Sequence, residues 1–215
     1  MKTDEGKVSR VGPQETEGLI GRYPELHAAL LEIAKTWNAA PYTWLLGGSC
    51  GLLLQQVELQ QAPRDIDVYA DLAAAHGLHQ SAPGIALDKP VVDRTGPYAS
   101  LLSHYQVGEC ALELVGGFEV WSRQSWYRIE IEQLLVHHAP QAQLGTYTLR
   151  LMPLAHELLF NLLRGRADRY EPIAEAIRKD PQLHQPLLAS LGKHNVWTSR
   201  FSAEVEALVG FAWTS

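Results

Sequence analysis

Apolar and polar residues alternate differently in two parts of this chain. Between residues 42 and 151 the apolar residues come in short runs broken by glycine, several of them with a period of two. From Pro153 onward they recur at helical spacing. Leu154, Leu158, Leu159, Leu162 and Leu163 form one stripe, and Pro153 suits a helix start, where its missing N–H costs nothing. Further helices are predicted over 170–179, 181–191 and 202–213. An earlier helix is predicted from Pro24, with Leu26, Leu30, Ile33, Ala34 and Trp37 on its buried side. Residues 1–22 are polar and dotted with glycine, and read as a flexible leader. The division expected is therefore a leader over 1–22, a core over 23–152 and a helical C-terminal region over 153–215.

Within the core, residues 42–46 form a short β-prone run closed by Gly47-Gly48. Ser49 can then cap a helix through Leu52, Leu53 and Leu54. Residues 66–69 read as a strand, with Asp65 and Asp67 on one face and Ile66 and Val68 on the other. Residues 72–96 suggest a short helix, turns and one strand. The runs 101–107 and 110–115 flank Gly108-Glu109 and predict an antiparallel hairpin with a two-residue turn. In its second arm Ala111, Glu113 and Val115 share a face. Residues 126–132 alternate again, setting Tyr127, Ile129 and Ile131 against Arg128, Glu130 and Glu132, and 147–151 give a last strand. Strands followed by a run of helices predict an α+β fold: a small mixed sheet with helices, then an all-helical region.

Composition narrows the picture. The 215 residues are 46% hydrophobic and 20% charged, enough apolar material for a core and too little charge for wholesale disorder. A net charge of -6 argues against general nucleic-acid binding, while leaving room for a local basic pocket. Cys50 and Cys110 are too few for a disulfide framework and too far apart for a zinc knuckle, so both are expected as reduced thiols in apolar surroundings. The first residues hold no apolar run and no stretch of about 18 apolar residues occurs. Neither a signal peptide nor a membrane span is expected, and the compartment expected is the cytoplasm.

Chemistry concentrates at Gly47-Gly48-Ser49 and Arg64-Asp65-Ile66-Asp67. Carboxylates at i and i+2 on a strand point the same way and can grip a hard cation. A glycine pair opening a helix lets backbone N–H groups approach phosphate oxygens. Arg64 could steady a phosphate or simply form a surface ion pair. Arg164, Arg166 and Arg169 cluster with Asp168 after the leucine-striped helix, where basic residues also suit the helix dipole. His137 and His138 are adjacent and His76 and His79 lie three apart, yet neither pair has further ligands at matching spacing, so zinc is not expected. The tryptophans, among them Trp37, Trp44 and Trp121, read as core or pocket-wall anchors. Ser49 lacks the flanking pattern of a hydrolase nucleophile.

These residues resemble the polymerase-β-like nucleotidyltransferase superfamily. The match is carried by Gly47-Gly48-Ser49, by Asp65-Ile66-Asp67 sixteen residues after Ser49, and by Glu113 on a later glycine-ended strand, where the family places its third carboxylate. It covers residues 42–120, and more loosely 126–170. The glycine-to-carboxylate spacing is closer to that of the antibiotic-modifying branch, and Glu113 replaces the commoner aspartate. The resemblance implies transfer of a nucleoside monophosphate from a nucleoside triphosphate to a hydroxyl of an acceptor that the sequence does not identify, a small molecule such as an antibiotic-like one. Modification of a protein, as in toxin–antitoxin pairs, and a non-catalytic nucleotide-binding module on the same fold are the alternatives. It further implies Mg²⁺ or Mn²⁺ held by Asp65, Asp67 and Glu113, the same residues acting in catalysis, and nucleotide bound by Gly47, Gly48, Ser49 and Arg64.

Overall fold

The computed structural model describes residues 9–213. In chain order the elements are β1 (Arg10–Val11), α1 (Pro13–Ile20), α2 (Pro24–Trp37), β2 (Leu45–Gly47), α3 (Gly48–Leu54), β3 (Asp65–Ala70) and α4 (Leu72–Ser81). There follow β4 (Val91–Asp93), β5 (Tyr98–Val107), β6 (Cys110–Ser122), β7 (Ser125–Arg128), a 3-10 turn (Leu135–His138), β8 (Gln141–Leu144) and β9 (Tyr147–Arg150). Four helices complete the chain: α5 (Leu154–Leu163), α6 (Ala167–Lys179), α7 (Pro181–His194) and α8 (Ser199–Val209). The fold is α+β, a mixed sheet with helices followed by four helices.

The main sheet runs β2-β3-β6-β5-β4, with β7 on the far end of β6. The expected hairpin forms around Gly108, β5 pairing with β6 from Tyr98 to Cys110. Strand β3 lies between β2, antiparallel, and β6, parallel. A smaller sheet, β1-β8-β9, sits beside it and is joined to it at Leu46 and Leu151.

The period-two pattern decides what covers each face. Ile66, Val68, Leu112 and Leu114 pack with Trp37, Trp44 and Leu78 into one core cluster, under α2 and α4. Tyr69, Val115 and Phe118 point the other way, into a second cluster with Leu158, Phe160, Ile173, Phe201 and Trp213 from the C-terminal helices. The helices are thus no separate body but the second layer over the carboxylate face. Every residue of α5 is buried, as its near-continuous apolar sequence requires.

The structure corrects several expectations. Within 9–22, read as leader, β1 and α1 form, and Thr16 and Ile20 are wholly buried on one side of α1. Two inward positions in one short helix are too few to register as a stripe. Residues 1–8 lie outside the described residues. The strand expected over 126–132 stops at Arg128: the N–H groups of Ile131 and Glu132 donate to the Asp71 carboxylate, each at 2.9 Å, instead of to a neighbouring strand. Strand β8 was not anticipated, and His137 and His138 sit in the 3-10 turn, not on a strand. Trp37 and Trp44 are buried, whereas Trp121 is half exposed and stacks on Trp126. Cys50 is buried, its thiol donating to the Asp65 carbonyl oxygen, and Cys110 is partly buried; both are free.

Candidate active site

Asp65, Asp67 and Tyr69 project from the same face of β3. Tyr69 is covered by Phe118 and the α5 layer; Asp67, half-buried, and Asp65, exposed, lie along the same strand face in the cleft. Glu113 stands directly beside Asp67 in the parallel β3–β6 register. All three carboxylates line one cleft of about 440 Å³, together with Gly48, Ser49 and Arg64 from the sheet side. The opposite wall carries Glu157, Phe160, Asn161, Arg164, Arg166 and Arg169. The cleft therefore sets carboxylates on the strands against arginines at the α5–α6 junction.

Like charges crowd this site. Burial, then the charges of Asp65 and Glu113, push the Asp67 carboxyl up to about 7, against the opposing pull of Arg164 and Arg169. A cation placed among these groups would relieve that repulsion, and oxygen donors of this kind suit a hard divalent ion. Among the described residues, no group of three or more His, Cys, Asp or Glu side chains is placed to hold a metal ion. Asp65, Asp67 and Glu113 are oxygen donors of the kind that suits Mg²⁺ or Mn²⁺.

The glycines are there for space. Gly48 has φ +56°, and a β-carbon on it would collide with the Asp67 carboxylate. A β-carbon on Gly47 would meet the Tyr69 ring at 2.7 Å and Glu157 Oε1 at 3.1 Å. The backbone N–H of Gly48, expected to face phosphate, instead donates to Glu157 Oε1 at 3.0 Å. A carboxylate buried away from water must find protein donors in place of its hydration, and the Gly48 N–H is one of them.

The sequence reading passed over Glu157. It is 2% exposed, and Asn161 Nδ2 donates to its other oxygen at 3.2 Å. Burial first, and the nearby Asp67 charge, push its carboxyl up to about 7, while the Gly48 N–H, Asn161 and Arg164 pull the other way. The available signal was His156, Glu157 and Asn161 interrupting an otherwise apolar helix.

The three arginines differ in their commitments. Arg166 is paired with Asp168 through two hydrogen bonds of 2.8 and 2.9 Å. Arg164 stacks over the Phe160 ring at 4.8 Å. Arg169 approaches Asp168 at 3.6 Å through Nε, while its buried Nη1 has no hydrogen-bond partner among the described residues.

No family model and no curated protein matches this sequence. Among solved structures, a Thermotoga maritima protein assigned as a nucleotidyltransferase superposes with a TM-score of 0.57 at 19% identity, over 74% of this chain and 94% of that one. The antibiotic-resistance factor ANT(2'')-Ia gives 0.47 at 10% identity, over 79% and 92% of the two chains. A nucleotidyltransferase-like antigen of Paracoccidioides brasiliensis gives 0.47 at 13%, over 90% and 95%. The likeness to the first of these shows the fold: the mixed sheet and helices of this chain are arranged as in that Thermotoga maritima nucleotidyltransferase structure.

Proposed function

We propose that the protein transfers a nucleoside monophosphate from a nucleoside triphosphate to a hydroxyl group of a small-molecule acceptor, with Mg²⁺ or Mn²⁺ bound. The observation that carries this reading is the division of one cleft between Asp65, Asp67 and Glu113 on one wall and Arg164 and Arg169 on the other. A triphosphate–metal complex carries both signs of charge and needs both walls. A cleft of about 440 Å³ is also in the range of small-ligand sites.

Asp65 and Asp67 would hold the metal, which when bound supplies positive charge at the reacting phosphate and the leaving oxygen. Glu113, next to Asp67 but on a separate strand, completes the metal set or takes the proton of the attacking hydroxyl. The acceptor oxygen forms a bond to the α-phosphorus, the α-phosphorus bond to the bridging oxygen breaks, and pyrophosphate carries that electron pair away. Arg164 and Arg169, which line the cleft opposite the carboxylates, offset the charge growing on pyrophosphate. Ser49 and Arg64 offer further phosphate contacts. Gly47 and Gly48 serve by leaving room, since the Gly48 N–H is engaged elsewhere.

Magnesium-dependent pyrophosphate release, followed across the four common nucleoside triphosphates and a panel of hydroxylated acceptors, tests the assignment. Release that requires both metal and acceptor, and stops with chelator, is the expected result. A protein that binds no triphosphate in the presence of Mg²⁺ or Mn²⁺ would overturn it.

A further inference from the structure

The contact between Glu157 and Gly48 joins positions 109 residues apart, both on the lining of the cleft. One carboxylate oxygen accepts the Gly48 N–H at 3.0 Å and the other accepts Asn161 Nδ2 at 3.2 Å. Asn161 is itself held, donating to the Glu157 carbonyl oxygen at 2.8 Å. The carboxylate is thus clamped within a fully buried helix, and it clamps the first residue of α3 in turn. Gly48 is in the left-handed region and lies against Asp67. A small rotation of the Gly48 peptide would drive the turn into the Asp67 carboxylate or pull it away, and Ser49 would move with it.

We infer that Glu157 is a positioning residue: by pinning the Gly48 peptide it sets where Asp67 and Ser49 stand in the cleft, and so couples the α5 layer to the metal and phosphate side of the site. A buried carboxylate is costly unless its lone pairs are used, and an apolar residue could fill the same space in α5. What the carboxylate adds is the hydrogen bond to Gly48. The inference rests on the nucleotidyltransferase reading for its consequence, but its structural half can be tested alone.

Two variants separate the roles. Glu157→Gln keeps an oxygen that can accept the Gly48 N–H, whereas Glu157→Met keeps most of the volume and removes the acceptor. Calorimetric titration with ATP and Mg²⁺, together with amide hydrogen exchange at Gly48 by NMR, is run on the wild-type protein and both variants, each shown folded by its thermal melt. For Glu157→Met we expect ATP–Mg²⁺ affinity to fall about tenfold or more, with faster exchange at Gly48. For Glu157→Gln both readings should stay within about threefold of wild type. Unchanged Gly48 exchange in Glu157→Met would overturn the inference, as would a Gln variant as impaired as the Met variant, since the negative charge and not the hydrogen bond would then be what matters. If Glu157→Met does not fold, the Gln variant decides against wild type: affinity and Gly48 exchange within about threefold support the hydrogen-bond role, and a loss of about tenfold or more overturns it. Should the wild-type protein bind no ATP–Mg²⁺, the functional reading fails, while the exchange at Gly48 still tests the pin.

Discussion

A β-carbon on Gly48 would lie 1.9 Å from Oδ2 of Asp67, so the start of α3 and the central carboxylate of β3 fit together only because glycine has no side chain. The backbone there is left-handed, at φ +56°, which adds an intrinsic penalty for any other residue. Gly48→Ala should therefore cost about 2 kcal/mol or more, lowering the melting midpoint by several degrees. It should also turn the Asp67 carboxylate aside and weaken metal-dependent nucleotide binding. Wild-type melting and binding by the alanine variant would show that the turn has slack the structure does not reveal.

Asp67→Asn removes a charge from a crowded group while keeping shape. In the metal-free protein the melt should hold or rise, because repulsion from Asp65 and Glu113 is relieved. Metal-dependent triphosphate binding should fall by about a hundredfold, two charged contacts' worth. A large drop in melting temperature would instead mark Asp67 as a structural residue held by buried hydrogen bonds.

Stability should depend on pH in a direction unusual for carboxylates. Asp67 and Glu157 both titrate near 7 in the folded chain, well above the range of an unfolded one. Around neutrality the folded state holds protons that the unfolded state has lost, so the metal-free protein loses stability as pH rises from about 6.5 to 8. His156, fully buried and pushed down to about 3 by burial, works the other way, but only below about 6.5, where an unfolded histidine takes up its proton. Midpoints measured at pH 6.5, 7 and 8 should fall in that order without metal, and Mg²⁺ should recover most at pH 8, where its ligands are ionised. A flat or rising profile would contradict the crowded-carboxylate description.

The arginines should prove unequal. Arg169→Met and Arg164→Met should each weaken ATP–Mg²⁺ binding about tenfold, the worth of one charged hydrogen bond or stacked cation. Arg166, committed to Asp168, should matter less, with Arg166→Met within about threefold of wild type. Binding isotherms of the three variants at one salt concentration would read this order directly, and an effect confined to Arg166 would reverse the assignment of the basic wall.

Local patterns determined a good deal of this protein before any contact was known. Because side chains alternate along a strand, Asp65 and Asp67 had to share a face opposite Ile66 and Val68, and the structure keeps that division. The turn at Gly108 and the stripe from Leu154 to Leu163 were equally readable, since each rests on neighbours in the chain. Other features depend on partners far along the sequence. Nothing near Ile131 tells that the Asp71 carboxylate will take its N–H and end a strand. Nothing near Gly48 tells that its N–H will go to Glu157, so a phosphate donor was expected where a structural bond stands. The arginines of the α5–α6 junction could be read from sequence as helix-end charges; only the packing of the helices over the carboxylate face makes them the second wall of the cleft. Period and turn chemistry act over a few residues, whereas the burial that forces a polar group to find a partner is created only when distant segments meet.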